Sequence, residues 1–272
     1  MSMVIGTNTA SLTAQRHLAS SRADMETSME RLASGSRINS SMDDAAGQAV
    51  VHGLDSKITG LNQAVRNAND GIAMIAVADG AMQEIGSMLN RMKELAVQAV
   101  NDTYSATDRE SMDLEFQALA VEITRIAADT DFNGIAITNS ADALKIQVGD
   151  DASDTVTITP ILMTATTLGV APAIDLQDAT NAPLAVAAVD TAIAALDAHR
   201  GSLGAVANTL DHTVSNLMSR IEHQSSARSS IQDADYAVES ANLAKTQVLQ
   251  QAGTAMLAQA NASGQSVLSL LK

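Results

Sequence analysis

The chain reads as mainly α: long heptad-patterned helices in an elongated, coiled-coil-like bundle, with a small β-hairpin insert and with the N- and C-terminal arms paired. Three observations predict this class. Apolar residues recur at steps of three and four toward both ends of the sequence, the period of helices that pack lengthwise. Hydrophobic residues make up 46% of the chain but aromatics only 1%, so Ala, Leu, Ile, Val and Met must fill the core. That suits thin, closely spaced helices better than a thick sandwich or barrel. The three prolines, Pro160, Pro172 and Pro183, all fall between the two ladders, which leaves both arms free of the residue that breaks helix interiors.

The first arm, roughly Asn8 to Ala33, carries Leu18, Met25, Met29 and Leu32 on one stripe. Turn-prone Ser34-Gly35-Ser36 and Asn39-Ser40-Ser41 interrupt it. Asp43 or Asp44 is the expected N-cap of the next helix, which runs to about Val100. Its ladder reads Val51, Leu54, Ile58, Leu61, Val65, Ala68, Ile72, Ile75, and after a stammer at Ala78 resumes at Met82, Ile85, Leu89 and Met92. Thr107 and Glu110 form the expected capping box of a third helix, with Met112, Phe116, Leu119, Ile123 and Ile126 on its stripe and an end near Asp129.

Asp131 to Gly134 is a turn leading into short strands. Leu144–Val148 and Thr155–Thr159 alternate apolar with polar, as half-buried strands do, and Gly149 to Ser153 joins them as a hairpin. Met163 to Asn181 shows no clear period. The second ladder starts near Pro183 and reads Val186, Val189, Ile193, Leu196, Leu203, Ala207, Leu210, Val214, Leu217, Ile221, with Arg200 as its one interruption. It loosens around Ser225–Ser230. The last arm, Asp235 to Lys272, places Tyr236, Leu243, Leu257 and Leu271 at multiples of seven. The residues expected in the core between the arms are Leu54, Ile58, Leu61, Ile72, Phe116, Ile123, Ile193, Leu196, Leu210 and Leu217.

Composition narrows the function. A net charge of −15 argues against nucleic acid, whose binding rests on clustered Lys and Arg. No run approaches the 18 or so apolar residues of a membrane span, so no membrane partner is expected. The start of the chain lacks a charged segment followed by an apolar one, so export, if it occurs, is expected without an ordinary cleaved signal peptide. No cysteine is present, which excludes disulfide and thiolate chemistry. No Gly-rich phosphate loop, no His-Glu-x-x-His and no Gly-x-Ser-x-Gly occurs. His17, His52, His199, His212 and His223 are scattered, whereas a zinc site needs three or four converging ligands. No catalytic residue, cofactor or metal is expected. A protein built of such rods is an assembly part rather than an enzyme.

Arg31-Leu-Ala-Ser-Gly-Ser-Arg-Ile-Asn-Ser40, followed by Asp43-Asp-Ala-Ala-Gly-Gln-Ala49, closely resembles the N-terminal signature of bacterial flagellin. So do Leu89–Gln98 and Phe132-Asn-Gly134. At the other end Leu203–Val206, Ala227–Ala237, Gln247–Asn261 and Val267–Lys272 are similar to the C-terminal signature. The resemblance covers about residues 1–137 and 183–272. About 45 residues remain for a middle, so the large outer domains of many flagellins are expected to be absent and the chain resembles a short form.

The resemblance implies a subunit that polymerises into the helical flagellar filament used for swimming, located outside the cell. The hook–filament junction protein, a relative with similar ends, is the alternative. The resemblance implies an inner filament-core domain, 1–42 plus 232–272, and a rod-like domain, 43–231, with its β insert at about 132–180. Leu18, Met25, Met29, Leu32, Tyr236, Leu243, Leu257, Leu268 and Leu271 are the expected filament-core packing residues. The implied partners are further copies of the chain, an export chaperone, the specialised export apparatus, and hook-associated and cap proteins. A patch matching Arg91, Leu95 and Glu115 implies recognition by an animal Toll-like receptor. Both arms, about 1–40 and 235–272, are expected to be disordered in the free monomer and helical in the filament, because short isolated helices are marginal in water.

Overall fold

A computed structural model describes residues 7–160, 162–171, 174–178 and 180–269, the side chains of 263–269 excepted. Five helices carry it: α1 (Thr9–Ser34), α2 (Ala45–Ala99), α3 (Ala106–Asp129), α4 (Ala182–Gln232) and α5 (Tyr236–Ser269). Between α3 and α4 lie two antiparallel hairpins, β1 (Asp131–Phe132) with β2 (Ile135–Ala136) and β3 (Leu144–Gln147) with β4 (Thr155–Ile158). The chain divides into two compact units, residues 1–56 with 223–272, and residues 57–222.

In the first unit, α1 and α5 pair as an antiparallel helical hairpin. Asn8 caps α1 by accepting the Ser11 N–H on its side chain. At the other end Gly35 takes a left-handed conformation (φ 72°) and its N–H returns to Arg31 O, a C-cap that a residue with Cβ would strain. The turn after it is pinned to the C-terminal half: Arg37 N–H bonds Gln232 O at 2.6 Å and Ala234 N–H bonds Gly35 O at 2.9 Å. The two expected aspartates divide the work of starting α2. Asp44 accepts the Gly47 N–H at 2.8 Å as the N-cap, while Asp43 gathers the backbone N–H groups of Asn39 and Ser40. Those bonds hold the Asp43 carboxyl below its ordinary range.

The second unit is built from parts of α2 and α4, with α3, the hairpins and the connecting segment. Asp79 meets Arg200, Gly86 lies under Leu196 and Lys93 meets Asp190, so α2 and α4 run antiparallel here. The core holds Met82, Ile85, Leu89, Met92, Leu95, Phe116, Ile123, Leu196 and Leu210, with Ile158 of β4 fully buried against it. A smaller cluster gathers Leu61, Ala64 and Leu217. Arg200, the break in the ladder, holds Asp79 with Nε at 2.7 Å and Nη2 at 3.3 Å on a partly exposed edge. A charged residue on an apolar stripe is thus explained by a partner on the facing helix.

The structure corrects the expected start of α3. The cap lies two residues earlier than expected. Ser105, not Thr107, is the N-cap, and its partner is Asp108, not Glu110; the Ser105 hydroxyl also lies 3.3 Å from the Asp108 N–H. Aspartate serves the reciprocal role because its shorter side chain still reaches the N-cap N–H, at 2.9 Å. Through Ser225–Ser230, where the apolar ladder loosens, α4 runs on to Gln232. Apolar spacing reports which face is covered, not where a backbone ladder stops. α2 and α4 each contain an 18-residue window of mean hydropathy 1.2, long and apolar enough to cross a membrane by length and composition, a test that the core helix of a bundle also passes. Their apolar residues are spread among Ala, Gly and scattered polar side chains, so neither window is an unbroken apolar run.

Met163 to Asn181, without period in sequence, forms a covering segment. Met163, Ala165, Leu168, Val170 and Leu176 are buried. Polar ties fix it to α3: Leu176 N–H donates to the buried Asp113 carboxylate at 3.0 Å, and Gln117 Nε2 donates to Ile174 O at 2.9 Å. Asp113 was not singled out in sequence, since a lone aspartate on a helix carries no signal of burial.

Candidate functional site

For chemistry the described residues offer one group, Asp150, Asp151 and Asp154, whose carboxylates gather at the β3–β4 turn. Two of the three are exposed, and Asp150 lies 3.5 Å from Arg220 Nη2. None of the five histidines belongs to it. Such a group is what a solvated acidic turn also presents, so no chemistry is drawn from it.

An exposed apolar surface lies on the arms. Where α1 and α5 meet, the buried residues are small or polar: Ser11, Ser28, Glu239 and Thr246. The large apolar side chains face outward or sit at the edge. Leu18, Met25, Leu32, Leu243 and Leu257 are half-buried. Met29 and Tyr236 are exposed, the latter at 74%. Leu268 lies on α5 with its side chain outside the described residues, and Leu271 lies outside them altogether. Leu12, Val248, Leu249 and Met256, not among the expected packing residues, are also exposed. An open groove of about 640 Å³ runs between the helices, lined by Ala14, His17, Leu18, Leu249, Gly253 and Met256. Exposed apolar area of this kind marks an interaction surface.

The residues expected in the core of the second domain divide by position. Leu61, Phe116, Ile123, Leu196, Leu210 and Leu217 are buried. Ile58, Ile72 and Ile193 are half-buried in the same unit, and half-buried Leu54 falls in the first unit.

The recognition candidates split as well. Arg91 on α2 is exposed and donates from Nε to Glu115 Oε1 of α3 at 2.8 Å and from Nη1 to Glu94 Oε2 at 3.0 Å. Those hydrogen bonds, that to Glu115 foremost, raise the Arg91 pKa further above neutrality. Leu95, one turn on, is 2% exposed and belongs to the core. Arg91 and Glu115 therefore present a charged pair at the surface, and Leu95 sets the helix beneath it.

Paired terminal arms with an uncovered apolar face, followed by a helical bundle, are the architecture of a self-associating structural subunit. Comparison with known proteins agrees. Residues 5–141 match the bacterial flagellin N-terminal helical region, and residues 186–271 the bacterial flagellin C-terminal helical region. A flagellin of Halalkalibacterium halodurans is 40% identical over 273 residues, covering 99% of this chain and all of that protein. The crystal structure of Bacillus cereus flagellin is similar with a TM-score of 0.50 at 33% identity, over 56% of this chain and 88% of that one. A putative flagellar hook-associated protein from Vibrio parahaemolyticus shares the fold, with a TM-score of 0.59 at 12% identity over 70% of this chain and all of that one. The chain belongs to the bacterial flagellin family. It is a structural subunit of the extracellular flagellar filament, not an enzyme.

Proposed function

We propose that the subunit builds its filament by laying the outward apolar face of α1 and α5 against neighbouring copies. The observation that carries this reading is the inversion of the arm hairpin: serine and threonine lie inside, while Leu12, Met29, Val248 and Met256 are exposed. A free chain leaves that area wet, and a helical array of copies covers it. Contacts between unlike surfaces generate an open helical polymer rather than a closed ring. The inner filament core then comprises residues 1–42 with 232–272, and 43–231 form the rod-like domain. Purified chain should polymerise on addition of salt with no nucleotide, metal or other cofactor, as seen by electron microscopy. A strict requirement for a bound nucleotide would overturn the reading.

The same reading carries finer parts. The chain leaves the cell unfolded through the specialised export apparatus with an export chaperone, and joins hook-associated and cap proteins at the filament ends. Free monomer is recognised by an animal Toll-like receptor through Arg91 and Glu115, with Leu95 as the buried support. A junction-protein role is the weaker reading, because the likeness to the hook-associated protein rests on fold at 12% identity.

A further inference from the structure

The arms have a weakness built into their pattern. A heptad stripe repeats every seven residues, so sliding one helix along the other by seven returns similar apolar residues to similar places. Apolar packing alone does not choose among such registers. The seam of α1 and α5 is polar where it is most buried, and its contacts all describe one register. Asn8 Nδ2 donates to Ala260 O at 2.9 Å, Ser11 Oγ to Asn261 Oδ1 at 3.0 Å, and Arg31 Nη1 to Glu239 Oε1 at 3.1 Å. Between them Leu18 packs over Gly253, where an added Cβ would stand 3.3 Å from Leu18 Cδ1.

A slip of seven residues breaks this set in either direction. One way, Arg31 comes opposite Gln232 and Glu239 opposite Asp24, a like charge. The other way, Arg31 meets Thr246 and Glu239 meets Ile38. In neither register does a carboxylate take the place of Glu239 directly opposite Arg31. The Glu239 side chain is only 9% exposed, and Arg31 Nε is buried without a hydrogen-bond partner among the described residues, so losing the pair strands charge away from water. Buried polar groups of this kind are poor sources of stability but effective at fixing register.

We propose that the Arg31–Glu239 ion pair, backed by the Leu18–Gly253 contact, is a register lock for the two arms. It acts as a positioning pair. It aligns the exposed stripes of α1 and α5 so that a neighbouring subunit meets one surface rather than several. The inference rests on the reading of the arms as the filament-building element.

The chain has no native cysteine, so introduced pairs report alone. Ser11→Cys with Asn261→Cys reports the observed register. Ser11→Cys with Thr254→Cys reports a slip of seven. Both are made in full-length chain, polymerised and gently oxidised. The expected result is cross-linking of the first pair and background for the second. Glu239→Gln should raise the ratio of slipped to native cross-link severalfold, and the exchange Arg31→Glu with Glu239→Arg should restore it. An unchanged ratio in Glu239→Gln overturns the lock. If Glu239→Gln does not polymerise, the exchanged variant decides: recovery of filaments with the native cross-link supports the lock, and continued failure overturns it. Failure of the parent chain itself to polymerise overturns the filament reading and the lock together.

Discussion

Leu210 shows what single side chains contribute. It is fully buried, and its Cδ1 comes close to Gly71 on the facing helix. Leu210→Ala should cost about 2–5 kcal/mol of monomer stability, read by thermal or denaturant unfolding, because the rigid helices around it close the cavity only in part. Arg91 should behave in the opposite way. It is exposed, so Arg91→Ala should leave the melting midpoint of the monomer nearly unchanged while sharply weakening activation of cells that bear the Toll-like receptor. Equal loss in both measurements would show that Arg91 supports the fold instead. At this scale the stripes point inward at Leu61, Phe116, Ile123, Leu210 and Leu217, all interior, but Ile58, Ile72 and Ile193 on the same ladders are half-buried and Met29 and Tyr236 on the arm stripes are exposed. It was silent on Asp113, whose burial depends on the chain passing at Leu176, 63 residues away. Leu95 lay on a motif, and a motif does not say which side of a helix turns inward.

At the scale of elements, the helices and the β3–β4 hairpin were legible because periodicity and proline placement speak directly about backbone. Their ends were less so. Both Ser105–Asp108 and Thr107–Glu110 satisfy the capping pattern, and the chain uses the first, where Tyr104 N–H already bonds Asn101 O in the preceding turn. Ser105→Ala should destabilise the monomer by about 1 kcal/mol. The Asp108 carboxylate adds a pH dependence with a definite sign. Hydrogen bonds from the Ser105 hydroxyl and N–H lower its pKa from the ordinary aspartate value. Folding therefore favours the ionised form, and its stabilising contribution is present above the ordinary value and lost as pH falls through the lowered one. Melting of Asp108→Ala and the parent chain should differ at neutral pH and converge in strong acid; a gap that widens with acid would contradict the assignment. The segment at 163–181 was illegible because it has no period of its own. Met163, Leu168 and Leu176 are placed by the helices they cover.

For the whole molecule, the family and the pairing of arms were legible from motifs at both ends, whereas the division into units at residues 56/57 and 222/223 was not, since α2 and α4 each run past it without a break in pattern. The arm hairpin has a thin, polar seam, so α1 and α5 should exchange amide hydrogens rapidly in free monomer and slowly in the filament, while the Phe116 and Leu210 region is protected in both. Strong protection of both arms in the monomer would refute this. Deleting residues 267–272 should block polymerisation and leave the second unit folded. The scarcity of aromatics has one more outcome. The chain has no tryptophan and only two tyrosines, Tyr104, half-buried, and Tyr236, at the exposed start of α5. Its near-ultraviolet emission comes from those two phenols alone, one inside a stable bundle and one on the polymerising arm. The filament thus carries its own unlabelled optical gauge: a change in tyrosine lifetime on assembly is the signal of a single residue, and Tyr236→Phe should erase it without a dye ever being attached.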